Sequence, residues 1–326
     1  MAVDYVIVGA GSAGCVLAAR LSEDPDVGVL LLEAGGQDTA AELHIPAMFP
    51  LVFKSGFDWD LFGEREPGLG GRRLYLPRGR VIGGSGSINA MIYLRGHRAD
   101  FDGWAADGCT GWSYDEVLPY FKRSEDNERG ANEFHGVGGP LTVSDSRSMS
   151  PLIEAQLEAA VAAGYAHIED LNVDRPEGVS RFQLTQRNGM RCSPADAFLR
   201  PAEGRPNLEV RSGVFVERIA FEGERAVGVE LVSGGVRETV RAEREVIVSA
   251  VTVSRTPFAT RSTPTARSPS KTIRSTKTPD RTLRFGLSSA GWRNASAALQ
   301  RMPFRCVSCH RATPLGSSMH RSSTSS

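Results

Sequence analysis

The sequence predicts an α/β fold, and three observations carry that expectation. Asp4-Tyr5-Val6-Ile7-Val8 is a short apolar run ending at Gly9, and residues 12–22 follow with helix-forming composition. Pro25 and Asp26 break that helix, and Val27 to Leu32 is a second apolar run ending at Glu33, which completes a right-handed βαβ unit. From Leu208 to Ser249 the pattern changes to β-branched strands divided by Glu222-Gly223 and by Ser233-Gly234-Gly235, the mark of a meander or of hairpins. At 326 residues the chain has room for two ordinary domains.

The elements between follow in order. Residues 34–87 show little period and many Gly, Pro and Arg, so they read as long loops draped over a site. Ser113 and Glu116 form a capping box that opens a helix through Val117 and Phe121 despite Pro119. A second helix starts at Ser150 with Pro151 in its first position, places Ile153, Leu157, Ala160 and Val161 on one face and stops at Gly164. Glu245 to Ser249 is apolar enough to be a buried strand.

After Ala250 the patterning fails. Residues 251–326 carry thirteen Lys or Arg, one acid (Asp280) and 26 Ser or Thr, whereas residues 1–250 carry 25 basic and 37 acidic side chains. Such a tail buries too little apolar area to offset chain entropy and is expected to be disordered. It lacks the interleaved aromatics of a nucleic-acid-binding arm. Cys306-Val307-Ser308-Cys309-His310 spells the c-type haem pattern, but haem attachment needs export and apolar surroundings, and neither is indicated. No secretory leader precedes the first strand and no apolar run reaches the length of a membrane span. With five scattered cysteines, the expectation is a cytoplasmic protein without a disulfide framework.

Gly9-Ala10-Gly11-Ser12-Ala13-Gly14 fits G-x-G-x-x-G, with the strand before it and the helix after it that the motif requires. Gly9 makes the tight turn, Gly11 lets backbone approach a pyrophosphate, and Gly14 permits close helix-to-strand packing. The amides of Ser12 and Ala13 would meet the phosphates at the positive end of the helix. Glu33, nineteen residues past Gly14, can accept both hydroxyls of an adenosine ribose. The competing reading is a structural βαβ unit with incidental glycines; NAD and FAD are indistinguishable at this level.

Residues 79–96 supply a second Gly-rich loop, Gly79-Arg80-Val81-Ile82-Gly83-Gly84-Ser85-Gly86-Ser87-Ile88-Asn89-Ala90-Met91 with its flanks. Glycines at 83, 84 and 86 allow main chain to lie against a cofactor where any Cβ would collide. This stretch resembles the first signature of the glucose-methanol-choline (GMC) oxidoreductase family. Asp58-Trp59, residues 111–122, Gln186-Arg187-Asn188-Gly189, Arg191-Cys192-Ser193 and Ala197-Phe198-Leu199 are similar to its alcohol and choline dehydrogenase-like members. The resemblance covers residues 1–250.

The resemblance implies FAD as cofactor and oxidation of a CH–OH group, with a small-molecule alcohol as donor, hydride transfer to flavin N5 and a separate electron acceptor. Val81, Gly84, Ser85, Asn89, Ala90 and Met91 match positions that line the flavin and its pyrophosphate, and Val216 matches the residue whose backbone meets the adenine. Some choline-oxidising relatives attach the flavin through a histidine just before this Asn; here that residue is Ile88, which implies noncovalent binding. The implied architecture is a Rossmann-like FAD/NAD(P)-binding domain with a β-meander over residues 1–149 and 200–250. Residues 150–199 would begin a smaller α+β substrate domain, and 251–326 would be a tail outside the family. The abrupt change at 250 suggests a shifted reading frame or a foreign ending. The family's catalytic His lies in a segment that this sequence lacks, so no catalytic residue is assigned, and none of the six histidines is nominated. The alternative is a catalytically inactive flavin-binding remnant. A disulfide reductase-like flavoenzyme would need a redox-active Cys pair that residues 1–250 do not contain.

Overall fold

The computed structural model describes residues 2–174 and 176–250; the tail over 251–326, with its Cys306–His310 motif, lies outside the described residues. β1 (Tyr5–Val8), α1 (Ser12–Leu21) and β2 (Val29–Leu32) form the expected opening unit. The stretch expected to be loop contains a short helix α2 (Ala41–His44), a 3-10 segment over Pro46–Val52, and a hairpin of β3 (Leu61–Glu66) and β4 (Arg72–Leu76). The hairpin escapes a hydrophobicity reading because Glu64, Arg65, Glu66, Arg72 and Arg73 populate its strands. Its turn is written instead in Gly70 and Gly71, at φ 66° and 74°.

Helices α3 (Arg98–Ala106) and α4 (Tyr114–Ser124) follow; α4 opens on the expected box, with the Glu116 carboxylate accepting from the Ser113 N–H (3.1 Å) and O–H (2.6 Å). Then come β5 (Glu125–Asn127), β6 (Leu141–Val143), α5 (Pro151–Ala162), and the paired β7 (Gln186–Arg187) and β8 (Met190–Arg191). The described chain ends with β9 (Leu208–Arg211), β10 (Val214–Glu222), β11 (Arg225–Ser233), β12 (Val236–Arg241) and β13 (Glu245–Val248).

Four strands form one parallel sheet in the order β13-β1-β2-β9, with Tyr5 opposite both Glu245 and Val29. β10, β11 and β12 form the antiparallel meander. The late strand-rich stretch therefore divides, its first and last strands joining the parallel sheet. Both faces of β1 and β2 are covered, which is why each reads as an unbroken apolar run. Tyr5, Ile7, Val29 and Leu31 pack on Cys15, Ala18 and Leu21 of α1 and on the segment Cys192–Ala202. Val6, Val8, Leu30 and Leu32 pack on Val214, Val229 and Leu231 of the meander. Truncating one of these fully buried leucines costs about 2–5 kcal/mol. β13 is less enclosed than its composition suggests: among the described residues it is an edge strand, with Val246 buried and Val248 exposed.

α5 has the expected start and an open apolar face. Ser150 caps it, accepting from the Leu152 N–H at 3.3 Å, and Pro151 opens it, but no residue of α5 is buried. Leu152 is 67% exposed, Ile153 41% and Val161 45%. The apolar stripe is real, yet nothing among the described residues covers it.

A buried polar cluster braces the segment that follows the second glycine loop. The Glu125 carboxylate accepts from the Arg95 guanidinium (2.8 Å), from His135 Nδ1 (2.9 Å) and from the Gly136 N–H (2.7 Å), while His135 Nε2 reaches Asp170 at 2.7 Å. Burial opposes a charged imidazole, but the hydrogen bonds to Asp170 and Glu125 outweigh it and hold His135 up at about 9.

Candidate functional site

The site is assembled where β1 and β2 end. Gly9, at φ 99°, turns the chain, and a Cβ on Gly14 would stand 1.9 Å from the Gly9 carbonyl oxygen, so only glycine lets α1 approach its strand. At Gly11 the situation is reversed: a Cβ built there meets nothing within 4 Å. Gly11 is also the N-cap of α1 and has no side chain to cap it, while Ser12 and Ala13 in the first turn are exposed. The helix start thus presents main-chain donors and positive dipole to an open groove, the arrangement that receives phosphate.

The second glycine loop forms the other wall. The Gly83 N–H donates to the Ala10 carbonyl at 2.8 Å, a Cβ on Gly84 would fall 2.6 Å from Gly11 Cα, and one on Gly86 would meet Ser12 Oγ at 3.0 Å. The two motifs, about seventy residues apart in sequence, are in direct contact. A third segment closes the corner. The Ile82 N–H donates to the Gly36 carbonyl (3.0 Å), and a Cβ on Gly35 would lie 2.1 Å from the Arg80 carbonyl. Gly35 and Gly79, whose Cβ would meet the Gly84 carbonyl at 2.1 Å, are packing glycines that motif reading missed. The Gly35-Gly36 pair, one residue past Glu33, was the available signal.

Glu33 is buried at the centre of this corner, its Oε2 accepting from the Ala10 N–H and its Oε1 from the Gly35 N–H, both at 2.8 Å. Burial pushes its carboxyl above the usual range, against the pull of those backbone donors. Each oxygen keeps a lone pair beyond the one it uses, so the carboxylate can still accept from a ligand hydroxyl. The Val214 N–H donates to the Glu33 carbonyl (2.9 Å), which sets Val216 of β10 beside the end of β2. Trp59, under the Arg80 guanidinium at 5.1 Å, adds an aromatic wall near Phe215.

Other expected residues face differently. Val81 and Ile88 are buried in a cluster with Leu43 and Val52, so what Val81 can offer a ligand is main chain. Met91 is buried, with Sδ accepting from Gln186 Nε2 at 3.7 Å, and its backbone is held at φ 63°, a strained conformation of the kind concentrated at functional sites. Ser85 Oγ accepts from the Gly79 N–H at 3.1 Å and closes the loop on itself. Asn89 is exposed and Ala90 half-buried at the loop's end. Asp58 gathers the N–H groups of Lys54, Asp60 and Arg78 and the Tyr75 hydroxyl, and so knots the covering loops. Cys15 lies beneath the motif with its thiol pushed up to about 12 by burial, inert at neutral pH.

The groove fits a dinucleotide: it offers main-chain donors at the start of α1, a buried carboxylate at Glu33 and glycine-lined walls from both loops. Among the described residues no cluster of His, Cys, Asp and Glu could hold a metal ion, and no helix is long and apolar enough to cross a membrane.

Comparison with known proteins agrees with this geometry. The family model for GMC oxidoreductase matches residues 3–268, slightly past the point where the motif likeness ends. The oxygen-dependent choline dehydrogenase of Brucella ovis is 44% identical over 256 residues, covering 78% of this chain and 46% of that protein. The mitochondrial choline dehydrogenase of Homo sapiens is 46% identical over 253 residues, covering 75% and 43%. Among solved structures, pyridoxine 4-oxidase from Mesorbium loti superposes with a TM-score of 0.72 at 40% identity, over 76% of this chain and 49% of that one. An FAD-dependent oxidoreductase from Chaetomium thermophilum gives 0.70 at 29% identity, over 76% and 45%. The chain spans about half the length of the curated relatives it matches. With two contiguous glycine loops, a buried carboxylate at the end of β2 and a family match over most of its length, the chain belongs to the GMC oxidoreductase family.

Proposed function

We propose that this chain binds FAD in the groove between Gly9–Gly14 and Gly83–Met91 and serves an oxidoreductase acting on the CH–OH group of a small alcohol or choline-like donor. The observation that carries the reading is the contact of Gly84 with Gly11, which makes one groove out of two glycine motifs. FAD, when bound, would supply the hydride acceptor, N5 of its ring system, and pass electrons on to oxygen or another acceptor. The chain's own residues bind and orient. Ser12 and Ala13 donate main-chain N–H groups to the diphosphate, Glu33 accepts from the ribose, Val216 supports the adenine, and the 84–91 loop lies along the flavin end. Ile88, buried among Leu43, Val52 and Val81, has no nucleophile to offer, which supports noncovalent attachment.

The test is the visible spectrum of the purified chain. A flavin spectrum bleached anaerobically by an alcohol or choline supports the full reading. Flavin that alcohols do not bleach reduces it to a flavin-binding protein without turnover, and no flavin uptake overturns it. Acid precipitation that leaves all flavin in the supernatant confirms noncovalent binding.

A further inference from the structure

Arg191, on β8, is 3% exposed, and among the described residues it makes no ion pair. The carboxylate that acts on its charge is that of Asp196, which is itself hydrogen-bonded to Ser193 and paired with Arg200. Its Nε donates to the Leu43 carbonyl at 2.7 Å and its Nη1 to the Gly86 carbonyl (3.2 Å) and to Asn89 Oδ1 (2.8 Å), while Nη2 is buried with no partner. Burial pulls its guanidinium down to about 10. So placed, the charge is costly unless a ligand completes its surroundings.

The same Asn89 oxygen accepts a second hydrogen bond, from the Met91 N–H at 2.9 Å. Two donors converge on that atom, so the amide cannot flip without setting its NH2 against both. We infer that Arg191 is a positioning residue: it locks Asn89 so that the amide NH2 points out of the loop and donates to an acceptor of the bound cofactor. Arg191 thereby ties three segments, α2, the second glycine loop and β8, to the orientation of one exposed side chain. The strained backbone of Met91 is held by the same lock. The inference rests on the proposed FAD site and names which side chain is pre-oriented there and what holds it.

The test compares FAD affinity, by flavin fluorescence titration of the full apo chain, with the melting temperature of the same apo protein. Asn89→Asp keeps the oxygen that Arg191 and Met91 use but replaces the outward donor by a second anionic acceptor. It should weaken FAD binding roughly tenfold or more, from one lost hydrogen bond and a new repulsion. The apo melting temperature should hold or rise, because the buried cation gains a counter-ion. Arg191→Met and Asn89→Ala should be strongly non-additive for FAD affinity, since each removes the same contact. FAD binding by Asn89→Asp equal to wild type, or additivity of the other two, overturns the inference even if Arg191→Met folds poorly. If the wild-type chain takes up no FAD, the proposed function falls and this inference with it; if only the variants disagree, the inference falls alone.

Discussion

Gly11 adopts φ −73° and ψ −169°, backbone that any L-residue accepts, and a Cβ there meets nothing within 4 Å. Valine at this position should cost the ligand-free fold no more than about 1 kcal/mol, the loss of a favoured N-cap residue. Its methyls, however, would project into the space assigned to the diphosphate. At FAD a hundredfold above the wild-type Kd, binding contributes ~2.7 kcal/mol of stability. For a domain of this size that is roughly 5–10 °C of melting temperature, and Gly11→Val should lose most of it. Gly14→Ala is the mirror case: its Cβ would lie 1.9 Å from the Gly9 carbonyl, an overlap that should cost about 1–3 kcal/mol with or without FAD. Thermal unfolding followed by far-UV circular dichroism, with and without FAD, distinguishes the two. A Gly11→Val protein with the full FAD-induced shift would refute the placement of the diphosphate.

His135→Ala should destabilise the fold by about 1–3 kcal/mol, because Glu125 and Asp170 each lose a buried hydrogen-bond partner while Glu125 keeps Arg95 and the Gly136 N–H. The imidazole's value is raised from 6.5 to about 9 in the fold, so its contribution is complete below pH 6.5 and is lost as pH rises through about 9. Unfolding free energy of the wild type should therefore fall by ~3 kcal/mol between those limits, and the variant should lack that slope; matching slopes would remove His135 as the cause. Glu33→Gln must turn its amide NH2 toward either Ala10 or Gly35, leaving a buried donor unmatched, and should cost about 1–3 kcal/mol together with FAD affinity. Unchanged melting and binding would show that Glu33 is not at the ribose. Gly84→Ala meets both left-handed strain at φ 56° and the Gly11 main chain, so it should lower apo stability by at least ~1–2 kcal/mol as well as FAD uptake, read by the same two assays.

The first glycine motif and Glu33 were legible in the sequence because their chemistry is local: strand, turn, helix and acid follow one another within thirty residues. Gly83 to Gly86 were legible as a cofactor loop only through family likeness, since their contact with Gly11 is set by folding at a distance. The β3–β4 hairpin was missed because charged strand residues hide a period of two. The apolar stripe on α5 is legible, but periodicity reports a face and not what meets it, and among the described residues nothing covers it. Val81 and Met91 were placed at the site by position, and only packing reveals that their side chains are buried among protein neighbours. Arg191 was quoted for its likeness alone; that a guanidinium there makes no ion pair among the described residues is a property of tertiary neighbours, which no spacing encodes.

The sheet order has a consequence for biosynthesis. β1 takes its second neighbour from the far end of the described chain, Tyr5 pairing with Glu245 about 240 positions later. At ordinary translation rates that partner leaves the ribosome on the order of ten to fifty seconds after β1. Throughout that interval one rim of this buried apolar strand lacks its mate and invites association with other nascent chains. Ribosome-bound chains stalled before residue 245 should therefore retain chaperones that chains stalled well beyond residue 250 release, and the nucleotide cleft should become competent for FAD only after that release.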